Sequence, residues 1–294
     1  MINKKIREGF GSRTFDVINI VIMGIIMFIT FYPILYIVFA SFSNGSELLA
    51  HTGMLWYPLK FSLEGYRMVF KDPMIIKGYL NTLFVVFVGG FLSIAVSALG
   101  AYALSRKNFM LQKHIMLMVI FTMFFSGGMI PFYFTVRELG LYNSLWALVF
   151  PSLVSTFNLI IMRTGFGAVP EALTEAAKID GANHFRIFWT VVLPLVKPVL
   201  AVITLYYMVG HWNSWFHAML FLQDREKYPL QLILRGILLA NDTNLMTGGE
   251  VDQEAIGESI KYGVIVVATL PILCAYPFLQ KYFVKGVMVG AVKG

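Results

Sequence analysis

Apolar positions along this chain run on in blocks of twenty residues or more, rather than alternating with polar ones within a helix turn. Six stretches, approximately 17–42, 79–104, 115–136, 144–163, 194–222 and 262–283, are apolar on every face. About 20 helical residues at ~1.5 Å each cross ~30 Å of hydrocarbon, so each stretch predicts a membrane-spanning helix. Pro33, Gly89-Gly90, Gly127-Gly128, Pro131 and Pro271 interrupt these stretches. Inside a bundle they predict kinks or close packing, because neighbouring helices satisfy the freed backbone groups. The first stretch follows Lys4, Lys5, Arg7 and Arg13 but is too long for a signal peptide, and no small-residue cleavage site follows. It reads as a retained anchor.

Composition removes the soluble alternative. Of 294 residues 58% are hydrophobic and 13% charged, about half the usual charged share of a soluble domain. Phe, Tyr and Trp together make up 15%, as expected where helices meet lipid headgroups. The single cysteine, Cys274, allows neither an intrachain disulfide nor a thiolate metal cluster. A net charge of +7 has no basic run or stacking platform behind it, which argues against nucleic acid as a partner. Its explanation is topological. With the N-terminus inside, fourteen Lys and Arg fall on inner segments and nine on outer ones, although the outer ones include the two longest connections. Both termini are therefore expected in the cytoplasm. The expected organisation is a cytoplasmic segment 1–16, a six-helix body 17–283 and a cytoplasmic tail 284–294. Outer connections run over 43–78 and 223–261, and an inner one over 164–193.

That inner connection carries the most information. Val169-Pro170-Glu171-Ala172-Leu173-Thr174-Glu175-Ala176-Ala177-Lys178-Ile179-Asp180-Gly181 reads as a short helix. Pro170 suits its first position, Glu171 its positive end, and Gly181 its stop. Eleven residues reach about 16 Å, too short for a bilayer. Leu173, Ala176, Ala177 and Asp180 share a face, and small alanines there permit close approach of another protein. Asn183 is placed to cap a second amphipathic helix bearing Phe185, Phe188, Trp189 and Val192, which can lie in the inner interface before Pro194 opens the fifth span. The whole loop reads as a docking element.

Glu175-Ala176-Ala177, three residues, Gly181, nine residues, then Val191-Val192-Leu193-Pro194 resembles the EAA loop of ABC importer permeases, with Val191 where that family usually has isoleucine. Length, span number and orientation are similar too. Phe283-Val284-Lys285-Gly286 and Gly290-Ala291-Val292-Lys293-Gly294 look like the end of maltose-type carbohydrate permeases, most similar to Gram-positive subunits for oligosaccharides or polysaccharide fragments. The resemblance implies an all-α, six-helix type I importer permease of the bacterial cytoplasmic membrane. It implies a second homologous permease, two cytoplasmic ATPase subunits that bind the ATP and Mg, an extracellular solute-binding protein, and no cofactor on this chain. Carried over, Glu171, Glu175, Ala176, Ala177, Asp180 and Gly181 would couple to the ATPase. Thr247, Gly248, Gly249 and Glu250, in the outer loop before the last span, would meet the binding protein.

Charges are almost absent from the centres of the spans, which disfavours a proton relay or voltage sensor. Neutral polar and aromatic residues there, Asn81, Asn158, Tyr206, His211, Trp212, Asn213 and Trp215, are the candidates for a saccharide pathway; ordinary interhelical bonding is the competing role. The chain has no G-x-x-x-x-G-K-[ST] phosphate loop, no H-E-x-x-H and no G-x-S-x-G, so no catalytic or metal site is expected on it. Other cargo for an ABC permease, and an ion-coupled carrier, stay open as alternatives.

Overall fold

The computed structural model describes residues 10–247 and 251–291, and every regular element among them is helical. In chain order these are α1 (Phe10–Ser41), α2 (Gly45–Ala50), α3 (Glu64–Lys71), α4 (Pro73–Phe84), α5 (Gly90–Ser105), α6 (Gln112–Phe124), α7 (Met129–Glu138), α8 (Trp146–Val149), α9 (Thr156–Gly167), α10 (Glu171–Ile179), α11 (His184–Ile187), α12 (Leu193–Leu195), α13 (Lys197–Trp212), α14 (Trp215–Phe221), α15 (Leu230–Thr247) and α16 (Val251–Ala291).

Among the described residues, three unbroken helices are long and apolar enough to cross a membrane: Thr14–Ser41, Pro73–Ser105 and Ala255–Cys274. Three further spans exist only if bent pairs are counted as one each. The pair α6–α7 bends by 117°, where Ser126-Gly127-Gly128 separates the two and Gly128 takes φ 88°. Only glycine adopts that conformation cheaply, and Pro131 then sits in the opening turn of α7. The second pair, Trp146–Ser152 with α9, bends by 50°, and Ser155 caps the new helix by accepting from the Asn158 N–H. The third, His184–Leu195 with α13, bends by 87° at Val196. Here Pro198, not Pro194, opens the spanning helix. Pro194 instead stands in the turn before the bend.

Two other boundaries move from the sequence reading. The second span starts at Pro73, because the Asp72 side chain caps it on the Met74 N–H at 2.8 Å. The connection 223–261 is largely helical: Leu230–Leu239 is an apolar helix, and α16 has begun by Val251. The acidic residues there masked an apolar run with its own helical register.

The chain divides into two compact units. One consists of residues up to Lys71 with Leu238–Val267. Its core is Ala40, Leu48 and Leu55, packed by Tyr36, Phe39, Leu59 and Tyr262. Gly45 and Gly65 let backbones touch there: a Cβ on either would lie 1.7 Å from the Ala255 carbonyl oxygen or 2.3 Å from that of Ser259. The other unit, Asp72–Ile237 and from Ala268 on, holds the larger core. Phe166, Met162, Ile203, Val192 and Ala101 are fully buried in it, where α5, α9 and α13 meet.

Candidate functional site

The loop 164–193 is mounted on that larger core. Val169, Ile187, Phe188 and Val192 are buried in it, and Ala177 and Ala182 pack against its edge. Two arginines fix the bases of the loops beneath. Arg163 donates from Nε to the Leu104 carbonyl at 2.9 Å, and Arg106 donates from Nη2 to the Phe166 carbonyl at 3.0 Å. These bonds satisfy the last carbonyls of α5 and α9, which no helical N–H reaches. Arg106 also lies 4.9 Å from the centroid of the Tyr102 ring.

On this base α10 stands with one side inward. Thr174 is buried, its hydroxyl donating back to the Glu171 carbonyl, and Ala177 is half-buried. Glu171, Glu175, Ala176, Asp180 and Gly181 are exposed, with Leu173 45% and Ile179 87% exposed. The face drawn from the sequence therefore splits: Ala176 faces outward with Leu173 and Ile179, and Ala177 belongs to the support. Pro170 stands at the cap rather than in the first turn. The helix ends as expected. Gly181 takes φ 79°, its N–H donates to the Lys178 carbonyl, and the Ala182 N–H donates to the Ala177 carbonyl at 2.9 Å. This is a Schellman turn, and it sets the angle at which the chain leaves α10. Asn183 then caps α11, accepting from the Arg186 N–H at 2.8 Å. Lys107 reaches Glu171 at 3.0 Å, an exposed pair worth at most about 1 kcal/mol.

The pathway candidates part company. Asn158, Tyr206, His211 and Asn213 line one cleft of about 380 Å³, together with Ser155 and His217. Asn158 is 6% exposed, and its backbone N–H donates to the Ser155 hydroxyl at 3.4 Å. His211 is pressed against Gly89, where a Cβ would come within 3.1 Å of the ring, and its Nε2 lies 3.3 Å from the Ser93 hydroxyl. Trp212 turns away into an apolar cavity of about 840 Å³ that Asn158 and Tyr206 also line. Its indole N–H is buried without an acceptor among the described residues, and its ring meets Tyr79 edge-on.

Two candidates lie elsewhere. The Asn81 amide donates to the carbonyls of Glu226 and Tyr228, at 2.8 and 3.1 Å, and is used up in holding that loop. Trp215 is covered by the Arg235 guanidinium, 4.6 Å from its ring centroid. His217 and Phe216, which the sequence reading passed over, border both this cleft and a second one at the Ser126–Gly128 break. Their one signal was position, a turn beyond the helix break at Asn213-Ser214. Of the expected binding-protein contact, Thr247 ends α15, and Gly248, Gly249 and Glu250 lie outside the described residues, as do Val292, Lys293 and Gly294 of the tail motif.

Comparison with known proteins agrees with this architecture. The chain is 42% identical over 286 residues to Protein LplC of Bacillus subtilis, covering 97% of this chain and 96% of the relative. It is 41% identical to the polygalacturonan/rhamnogalacturonan transport system permease protein YtcP of the same organism, covering 96% and 99%. Among solved structures, a chain of a bacterial ABC transporter involved in the import of the acidic polysaccharide alginate superposes with a TM-score of 0.85 at 32% identity, covering 95% of this chain and all of that one. Residues 6–289 match the model of the binding-protein-dependent transport system inner membrane components, and the chain belongs to that family.

Proposed function

We propose that this chain is the permease subunit of an ATP-driven importer for an oligosaccharide or polysaccharide fragment. The cargo is drawn from relatives named for polygalacturonan/rhamnogalacturonan and for melibiose, raffinose and stachyose, and from the alginate importer. The working unit contains a second, homologous permease, two cytoplasmic ATPase subunits that bind ATP and Mg, and an extracellular binding protein. Both termini face the cytoplasm. This chain carries no catalytic residue; its task is to convert closure of the ATPase pair into movement of the spans.

The observation that carries the reading is the mounting of α10. A nine-residue helix presents Leu173, Ala176 and Ile179 outward, while Thr174 and Ala177 turn inward and the helix rests on α11 and on the turn 188–192, whose Phe188 and Val192 are buried in the core. Exposed apolar groups on so short a helix lack a partner among the described residues, and a socket on a second protein supplies one. A push on the helix travels through packed side chains to the spans, because a close-packed core does not absorb it. The cleft at Asn158 and Tyr206 supports saccharide cargo. A pyranose offers apolar C–H faces to rings and hydroxyls to amides, and both lie here.

The test is a crosslink from position 176 to the copurified ATPase, with Cys274 replaced by Ser and Ala176 by Cys. A crosslink whose yield changes between ATP-bound and nucleotide-free states is expected. Free labelling of position 176 in the assembled complex, in every nucleotide state, would sink the coupling role.

A further inference from the structure

In the first unit, α1 is longer than a bilayer needs. Thr14–Ser41 has 28 residues, about 42 Å of helix at ~1.5 Å per residue, against ~30 Å of hydrocarbon. The surplus lies at the Ser41 end. From Thr14 to Phe31 the helix has no buried residue, as a lipid-facing segment would. From Tyr32 on it acquires protein neighbours and polar bonds: the Ser41 hydroxyl pairs with that of Tyr66 at 2.8 Å, and the Ser43 oxygen accepts from the Leu59 N–H.

The chain after α2 then runs back down the helix. Leu59 and Ser62 are bonded at the level of Phe42 to Asn44. Only four residues before Leu59, the Leu55 N–H donates to the Tyr32 hydroxyl at 2.7 Å, and the Trp56 ring lies 5.3 Å from Tyr32 and 6.0 Å from Phe28. From Ser41, the last residue of α1, back to Tyr32 is about 13 Å along the helix axis. Trp56 is 51% and Tyr57 67% exposed at that depth. On α16 Tyr262 meets Tyr36 at 6.0 Å, and the Glu258–Lys261 pair lies on the Ser41 side of this contact, since Ser259 packs on Gly65 and Ala255 on Gly45. One Glu258 oxygen is buried without a partner among the described residues, a costly arrangement within hydrocarbon.

We propose that residues 51–57 form an interfacial anchor. Trp56 and Tyr57 lie in the phospholipid headgroup layer, and the hydrocarbon boundary crosses α1 near Tyr32, well below its end. The ring of Tyr32, Trp56, Tyr36 and Tyr262 is then an aromatic belt, the position amphipathic rings favour. The last turns of α1 and the first of the α16 span, with the ion pair, stand outside the hydrocarbon as a rigid post. This requires only that α1 spans a bilayer; it does not depend on the cargo or on ATPase coupling.

Nitroxide labels test it, placed singly at Tyr57, Ile34 and Ile26 after Cys274→Ser, in the full chain and in the assembled transporter, both in phosphatidylcholine bilayers. All three positions are exposed, so their labelling leaves the core intact. The expected result is headgroup depth at 57 and 34, read as comparable collision with oxygen and with a water-soluble nickel complex. At 26, nickel collision should fall several-fold and oxygen collision rise. Hydrocarbon depth at 34, or free water exposure at 57, overturns the proposal. So does shielding of 57 from both reagents in the assembled transporter alone, which would make the surface a contact for the partner permease.

Discussion

Asn158 is the residue at which folding and function separate most sharply. The residue is 6% exposed and lines both the polar cleft and the apolar cavity. A fold optimised only for stability would place a leucine there, because a polar amide beside an apolar wall contributes less to burial than an aliphatic side chain of similar size. Asn158→Leu should therefore keep the melting temperature in detergent or raise it, while saccharide uptake falls at least several-fold. Unchanged uptake would leave Asn158 as an interhelical packing residue and remove the cleft from the pathway. His211 gives the contrasting case. It lines the same cleft, but its ring is already seated on Gly89 and Ser93, so its imidazole is committed to holding α13 against the second span.

Between elements, the decisive contacts are those in which backbone meets backbone. Gly65→Ala places a methyl 2.3 Å from the Ser259 carbonyl oxygen, an atom that cannot rotate away, and so forces α3 off α16. Overpacking of this kind costs about 1–3 kcal/mol. In Gly24→Ala the new methyl meets open space, and the exchange is neutral or slightly stabilising in a helix. Thermal unfolding of both variants checks the difference, and an equal Tm for the two would contradict the close packing. None of this was legible from periodicity, since Gly45 and Gly65 fall in the connection 43–78, outside every apolar stretch. What could be read were features with a local cause. The six apolar stretches follow from composition, the Gly181 stop and the Asn183 cap from short-range backbone chemistry. The bends were legible as weak points but not as angles: Gly127-Gly128 permits a break, and only tertiary packing sets it at 117°. Asn81 and Trp215 were misplaced for a related reason, since their partners, the loop at Glu226 and Tyr228 and the Arg235 side chain, come from parts of the sequence that gave no sign of approaching them.

Across the whole molecule, the distribution of charge bears on the energy source. Among the described residues, Arg163 sits one turn from the end of α9 and is bonded to the Leu104 carbonyl, and the Glu258–Lys261 pair lies at the start of the last span. The middle stretches of the spans contain no carboxylate that could take up and release a proton during a transport cycle. A carrier driven by a proton or sodium gradient needs ionisable or ion-coordinating groups near the midplane, where binding of the ion changes the stability of one conformation against the other. On the proposed function the driving force enters at a surface instead, and the exposed side of α10 is a surface mounted on the core that α5, α9 and α13 share. Initial saccharide uptake by intact cells should therefore persist when a protonophore collapses the gradient at constant ATP. It should stop when ATP is depleted with the gradient maintained by respiration. The reverse pattern would mean that α10 is not where energy enters, and would direct attention to the two histidine-bearing clefts as an ion site.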